Sequence, residues 1–354
     1  MNFASDNTTG AAPEIMAALA AANEGQAMPY GADDISERLG ARFGALFETD
    51  VAVFPVATGT AANALALSVM TPPYGAVYCH AMAHVAVDEC GAPEFYSGGA
   101  KLVPLDGKAG KIASATLEAA LEAVPAGDVH HVQPAALSLS QQTECGTHYT
   151  VREVTALSEV AHGNGLAVHM DGARFANAVA ALNCAPADVT WRAGVDVLSF
   201  GATKNGAWAA EAIVVFKPEL AREMAYRRKR AGHLLSKMRF ASVQLEAYLA
   251  DGLWLDNARH ANALAARLAD GLAALPGVRL LYPVAGNQIF AELPEPMLSG
   301  LLADGFSFYR WDSDGVATVR LVTAFNTRPD DVDAFIEAAG RHGAGDAQKI
   351  IGAQ

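Results

Sequence analysis

Two stretches, Leu166-Ala-Val-His-Met-Asp171-Gly-Ala-Arg174 and Val195-Asp-Val-Leu-Ser-Phe200-Gly-Ala-Thr203-Lys204-Asn-Gly206, decide the fold of this chain. Each reads as a short buried strand whose carboxyl end carries a polar side chain into a glycine-rich turn. In an open α/β sheet, ligands lie just outside strand carboxyl ends. Asp171 and Lys204 stand at two such ends, 33 residues apart, which is the length of one strand, crossover helix and parallel strand. An acid and a lysine so placed suit pyridoxal phosphate. The lysine amine forms a Schiff base with the cofactor aldehyde, and the acid keeps the pyridine nitrogen protonated so that the ring accepts electrons from a carbanion. Taken singly, such a lysine reads as a solvated loop residue and such an acid as a turn former or helix cap; the pair carries the inference.

Upstream, Val51 to Val56 reads as a central strand running into Ala57-Thr58-Gly59-Thr60, with a buried helix from Ala61 to Met70. A strand, a small-residue turn and a helix start make an anion site, because unpaired amides and the positive end of the helix dipole face the same point. Thr58 and Thr60 add hydroxyls there. The chain has neither GxGxxG nor GxxxxGK[ST], which argues against a dinucleotide or nucleoside triphosphate and leaves a small phosphate-bearing cofactor. Further strands are expected at 76–79, 101–105, 135–139 and 211–216, with helices at 114–123 and 151–163 between them. This alternation predicts an α/β fold whose large domain holds a mostly parallel sheet covered on both faces. A helix opening with a reciprocal Asp34/Glu37 cap is expected to bury Ile35, Leu39, Phe43, Leu46 and Phe47. After about residue 250 the pattern changes. A helix over 256–275 precedes strands at 278–282, 288–292, 307–311 and 318–323 and a helix near Pro329. The expected division is therefore residues 1–250, with the N-terminal segment and the large cofactor-binding domain, and 251–354, a small C-terminal α+β domain with a frayed last ten residues.

The bulk composition agrees. At 354 residues the chain exceeds one ordinary core, and with 52% apolar residues it reads as a close-packed enzyme. A formal charge of −13 makes nucleic acid and anionic membranes poor partners. No signal-peptide pattern opens the chain and no apolar run reaches about 18 residues, so a cytoplasmic location is expected. Cys79, Cys90, Cys145 and Cys184 lack CxxC spacing and read as buried free thiols.

The ordered succession Ser5-Asp6, Tyr30-Gly31-Ala-Asp33, Thr58-Gly59-Thr60-Ala-Ala-Asn63, Ala83-His84 with Glu89, Asp171-Gly-Ala-Arg174, Lys204 and Arg320-Leu-Val-Thr323 resembles the low-specificity L-threonine aldolases, in particular the subgroup that includes phenylserine aldolases. These are pyridoxal-phosphate enzymes of the aspartate-aminotransferase type, fold type I. The likeness runs from about residue 2 to 340. It implies cleavage of L-threonine, L-allo-threonine and bulkier β-hydroxy-α-amino acids to glycine and an aldehyde, in a homo-oligomer built as a dimer of dimers with active sites at subunit boundaries. It also implies that Lys204 bears the cofactor and that Asp171 holds its ring nitrogen. Gly59, Thr60 and Thr203, with Thr58 beside them, would hold the phosphate. Ser5, Tyr30, Arg174 and Arg320 would bind substrate, with Arg174 also near the cofactor, and one of Arg227, Arg228, Lys229 and Arg230 would reach a phosphate. His84 would stack on the ring near the substrate hydroxyl.

One departure matters. Many relatives carry Leu-Glu-Asn-Thr-His-Asn after the strand, where this chain has Leu139-Ser-Gln-Gln-Thr-Glu144-Cys-Gly146. A second histidine is missing and Glu144 is its nearest match, so the base that takes the hydroxyl proton is His84, Glu144 or a water held by one of them. Glu144 also has a structural reading, as a cap on the Cys145-Gly146 turn. Three rivals stand beside the aldolase. One is a β-eliminating or other lyase of the same fold, and another is a non-catalytic cofactor-binding regulatory module, for which the chain has no spare length. The third is a zinc enzyme using His80 and His84, one helical turn apart, for which no third ligand or adjacent glutamate is evident.

Overall fold

The computed structural model describes residues 1–311 and 317–351, with side chains as far as residue 343. Seven strands form its main sheet: β1 (Ala52–Val56), β2 (Gly75–His80), β3 (Lys101–Leu105), β4 (Gln133–Ser140), β5 (Ala167–Gly172), β6 (Val197–Gly201) and β7 (Glu211–Val215). Their order is β1-β7-β6-β5-β4-β2-β3. From β3 to β6 every neighbouring pair is parallel, whereas β7 runs antiparallel to both β6 and β1. Strand β1 therefore points the same way as β6. The carboxyl ends of β1 to β6 and the start of β7 meet at one edge. From the adjacent pair β2 and β4 the chain departs in opposite directions, to β3 on one side and to β5, β6 and β7 on the other, which opens a crevice at that edge.

Both faces of the sheet are covered, and side-chain alternation shows why. On β7, Ala212 and Val214 enter the core that holds Phe43 and Phe47, whereas Ile213 and Val215 enter the core formed with the helix Gly59–Met70. Phe200, near the end of β6, is ringed by Phe43, Phe47, Phe175, Tyr248 and Trp254 at centroid distances of 5.2–6.5 Å. Such edge-on and tilted packing holds the strand end that leads into Lys204.

A second sheet, order β10-β11-β9-β8, is wholly antiparallel: β8 (Arg279–Leu280), β9 (Gln288–Glu292), β10 (Tyr309–Arg310) and β11 (Thr318–Val322). It packs against the helices Leu253–Ala273, Glu295–Ala303 and Pro329–Ile351 around its own apolar cluster, and Phe3 from the N-terminus is part of that cluster. Strands β8 and β10 are shorter than the apolar runs imply. The last helix continues to Ile351 where fraying was expected, and residues 352–354 lie outside the described residues. No described helix is long and apolar enough to cross a membrane. The thiols are free, but only Cys79 and Cys145 are buried; Cys90 is exposed and Cys184 intermediate.

The cap of the helix Asp34–Phe47 also differs from expectation. Asp33, in extended conformation, accepts the Ser36 amide at 2.9 Å, so Asp34 is already helical. The expected buried face forms, with Leu39, Phe43 and Phe47 fully inside. Asp33→Ala is expected to cost about 1 kcal/mol of stability, read as a lower urea midpoint at unchanged slope, whereas Asp34→Ala changes it little.

Candidate active site

At the common edge of the sheet a cleft of about 340 Å³ is lined by Thr58, Gly59, Thr60, Asn63, His84, Glu89, Glu144, Asp171, Arg174, Thr203, Lys204 and Glu211, among others. A larger groove, about 1080 Å³, lies where Thr147 and His148 meet Asn262 and Ala263, but its Lys111 is paired with Glu153. The smaller cleft holds the lysine and acid pair together.

The β1 turn is built as expected, with one change of role. Thr58 Oγ1 accepts the Ala61 amide at 3.1 Å and caps the helix Gly59–Met70. The amides of Gly59 and Thr60 are left without intrahelical acceptors. A Cβ on Gly59 would meet nothing within 4 Å, so the space before these amides is open. Of the four basic residues, Arg227 is tied to Glu223 and the Tyr96 carbonyl, and Lys229 lies over the Tyr30 ring at 4.6 Å. Arg228 lies against β1, over the Phe54 ring and near the Pro55 carbonyl, and its Nε is buried without a partner. Burial pushes the Arg228 guanidinium down to about 10.

Asp171, at the end of β5, accepts the Ala173 amide on Oδ1 at 3.0 Å and Asn63 Nδ2 on Oδ2 at 2.9 Å. Asn63 Nδ2 also donates to Glu89 Oε1 at 2.8 Å. That oxygen lies 2.8 Å from His84 Nδ1. The His84 amide donates to Glu144 Oε1, which accepts Ser140 Oγ as well; Glu144 Oε2 is buried and unpartnered. Burial raises the Glu144 carboxyl, only partly offset by the Ser140 and His84 bonds. The loop is turned by Gly146 at φ 76°, where a Cβ would press to 3.1 Å on the Gln288 carbonyl. The Glu144 carboxylate thus joins the β2 and β4 loops.

Lys204 follows β6 in a short 3-10 turn. Burial and the Arg174 charge lower its proton affinity, against the pull of Asp6, Asp171 and Glu211. Glu211 starts β7 opposite Gly201, accepts the Ala202 amide at 2.8 Å, and is raised by burial to about 7. Thr203 Oγ1 accepts the Ala210 amide at 3.3 Å. Arg174 grips buried Asp6 in a two-point contact, Nε to Oδ2 at 2.7 Å and Nη2 to Oδ1 at 3.0 Å, and Asn287 Nδ2 donates to the same carboxylate. Burial pushes the Asp6 carboxyl up, but Arg174 and then Lys204 outweigh it, so it titrates below the ordinary value.

Arg320 comes from β11, stacked over Tyr309 and Trp311, with Nη2 on the Ala4 carbonyl at 3.3 Å and Nε buried without a partner. Burial and the like charge of Arg174 lower its proton affinity. Ser5 caps the turn Asp6–Thr8 through the Asn7 amide. Tyr30 is half exposed, bonds Ser236 through its backbone and does not line this cleft.

His80 and His84 are not a helical pair: His80 ends β2 and His84 opens the helix His84–Val87. His80 Nδ1 accepts the Met82 amide and Nε2 bonds the Gly107 carbonyl, which leaves no nitrogen for a shared metal. Asn63, Glu89 and Asp6 lay within the motifs, yet sequence reading gave them no role. Glu211 had one visible signal, an acid opening an otherwise apolar strand.

An α/β sheet of this order, with a lysine beyond β6 and a carboxylate at the end of β5, defines a pyridoxal-phosphate-dependent enzyme of fold type I. The residues fit that group: an open, capped helix start for a phosphate, a partly buried lysine with depressed proton affinity, and a carboxylate held by two donors. The family model for beta-eliminating lyases matches residues 2–295. The low specificity L-threonine aldolase of Pseudomonas sp. (strain NCIMB 10558) is 43% identical over 99% of this chain and 98% of its own. That of Pseudomonas aeruginosa is 44% identical over 95% of each. The solved structure of Leishmania major threonine aldolase superposes with a TM-score of 0.90 at 31% identity, covering 96% of this chain and 98% of that one. The chain belongs to the threonine aldolase family of beta-eliminating lyases.

Proposed function

We propose that this chain cleaves L-threonine, L-allo-threonine and bulkier β-hydroxy-α-amino acids such as phenylserine to glycine and an aldehyde. The observation that carries this reading is an imidazole, His84, in the same cleft as Lys204 and Asp171. Carbon–carbon cleavage needs a base for the β-hydroxyl proton, and His84, whose bond to Glu89 raises its proton affinity against burial, supplies an imidazole for that task. Pyridoxal phosphate, when bound, supplies the electron sink at Cα.

The other roles follow from the chain's own groups. Lys204, destabilised as a cation by burial, is the amine that carries the cofactor, and Asp171 the carboxylate for its ring nitrogen. The amides of Gly59 and Thr60, with Thr58, Thr203 and Arg228, hold the phosphate. Asp6 occupies Nε and Nη2 of Arg174, which leaves Nη1 for the substrate carboxylate beside the unpartnered Nε of Arg320; Ser5 completes that end. Tyr30 and Lys229, stacked on each other and away from this cleft, serve a neighbouring subunit in a dimer of dimers. Exposed Phe95 and Tyr226, at 78% and 69%, are apolar surface for such contacts. Free thiols, one of them exposed, suit a reducing cytoplasm.

The test is product analysis with threonine: glycine and acetaldehyde in equal amounts. Ammonia and a keto acid instead would make it an eliminating lyase, and cofactor binding without turnover a regulatory module. His84→Phe, which keeps a ring but no base, is expected to lower kcat about a hundredfold or more, with little change in KM. Glu144→Gln, which keeps an acceptor for Ser140 and the His84 amide, is expected to act mildly. A silent Glu144→Gln with normal cofactor absorbance, beside an active His84→Phe, reverses the two roles.

A further inference from the structure

We propose that Glu89 is a positioning residue for the cleavage step: it holds His84 with its proton on Nδ1 and, through the same oxygen and Asn63, ties the imidazole to the Asp171 carboxylate. The proposal rests on the aldolase reading and deepens it.

The donor inventory dictates the arrangement. Asn63 Nδ2 carries only protons, so Glu89 Oε1 and Asp171 Oδ2, at 2.8 and 2.9 Å, both accept from it. Turning that amide over would set its oxygen against two carboxylates. With Glu89 ionised, its Oε1 accepts from Asn63 and from His84 Nδ1 as well, the latter at 2.8 Å. The shared proton therefore sits on Nδ1 and Nε2 keeps its lone pair, since the bond made by one ring nitrogen sets the state of the other.

Glu89 is fully buried and His84 is 39% exposed; burial and the Asp171 charge raise the Glu89 carboxyl, and the bonds from His84 and Asn63 pull it back toward the ionised form. The Glu89 bond raises the proton affinity of His84, burial opposes it, and the charge of Asp171 adds to it while that of Lys204 subtracts. Glu144 meets His84 only at its backbone amide. In the cleavage direction Nε2 takes the β-hydroxyl proton as the carbon–oxygen double bond forms and the Cα–Cβ bond breaks, with its electron pair left on Cα. The imidazolium produced keeps its Nδ1 proton, which it donates in the hydrogen bond to Glu89. A purely space-filling Glu89 would have none of these effects.

Two measurements test this on the holoenzyme. With histidines labelled in 15N, the His84 signals above its titration are expected to show a protonated Nδ1 and a bare Nε2; a proton on Nε2 overturns the proposal without any reference to turnover. In Glu89→Gln, loss of the carboxylate lowers the pKa of His84, so the acid limb of kcat/KM moves to lower pH by about one unit, with a drop of about tenfold at the optimum. Glu89→Asp, which keeps the charge, retains the wild-type limb. An unmoved limb in an active Glu89→Gln rejects the role. Failure of wild-type protein to form glycine rejects the aldolase reading instead, and leaves the tautomer as measured.

Discussion

Lys204→Ala is expected to abolish steady glycine formation, a loss of roughly 10⁴-fold or more, since acid–base work by one positioned group alone is worth about 10²–10⁴ and, in the function proposed above, this residue also carries the covalent link. Cofactor is expected to remain bound, because the proposed phosphate site, at the helix start Gly59-Thr60, and the carboxylate of Asp171, on β5, stand on other elements. The fold is expected to survive. A lysine whose pKa is depressed in the folded state costs stability at every pH below that pKa, so its removal leaves the unfolding midpoint of the cofactor-free protein unchanged or higher at pH 7. The measurements are steady-state turnover, visible absorbance after dialysis, and urea unfolding. Turnover at the wild-type rate would make Lys204 a loop lysine and sink the functional reading.

The second large effect is expected from Asp171→Asn. An amide can bond a ring nitrogen but cannot hold it protonated, and removing the partner of a developing charge costs about 3 kcal/mol or more, roughly a hundredfold in rate. The surroundings sharpen the loss. Both carboxylate oxygens now accept, one from Ala173 and one from Asn63, so the new NH₂ either meets a donor or turns toward the cofactor as a competing donor. Cofactor content should stay near normal while kcat falls. A near-normal kcat would return Asp171 to the role of a turn residue.

Local pattern was enough for much of this molecule. Short apolar runs placed all seven main strands to within a few residues; for β2, β4 and β5 the reason is that an interior parallel strand must be apolar on both faces. The same patterns put Thr58 to Thr60, Asp171 and Lys204 at strand ends, where the sheet leaves backbone and side chains free. The family likeness then joined distant residues that no spacing connects, His84, Arg174 and Arg320 among them.

What remained needed the packed chain. Asp33 rather than Asp34 caps its helix because capping depends on the backbone angle of one residue. Asp6 meets Arg174 from 168 positions away in the chain, and Glu89 meets Asp171 only through Asn63. Such partners are set by the order in which strands lie side by side. Strand β7 inserts between β1 and β6, and strands β2 and β4, far apart in sequence, become neighbours and bring His84 against Glu144. Hydrophobic periodicity tells which face of an element is buried, not which element lies against it. Proton positions follow from those neighbours, since burial and the charges brought alongside set the proton affinities of Lys204, His84 and Glu211. The residue types of the site were therefore legible in the chain, and its hydrogen-bond order was decided by tertiary packing.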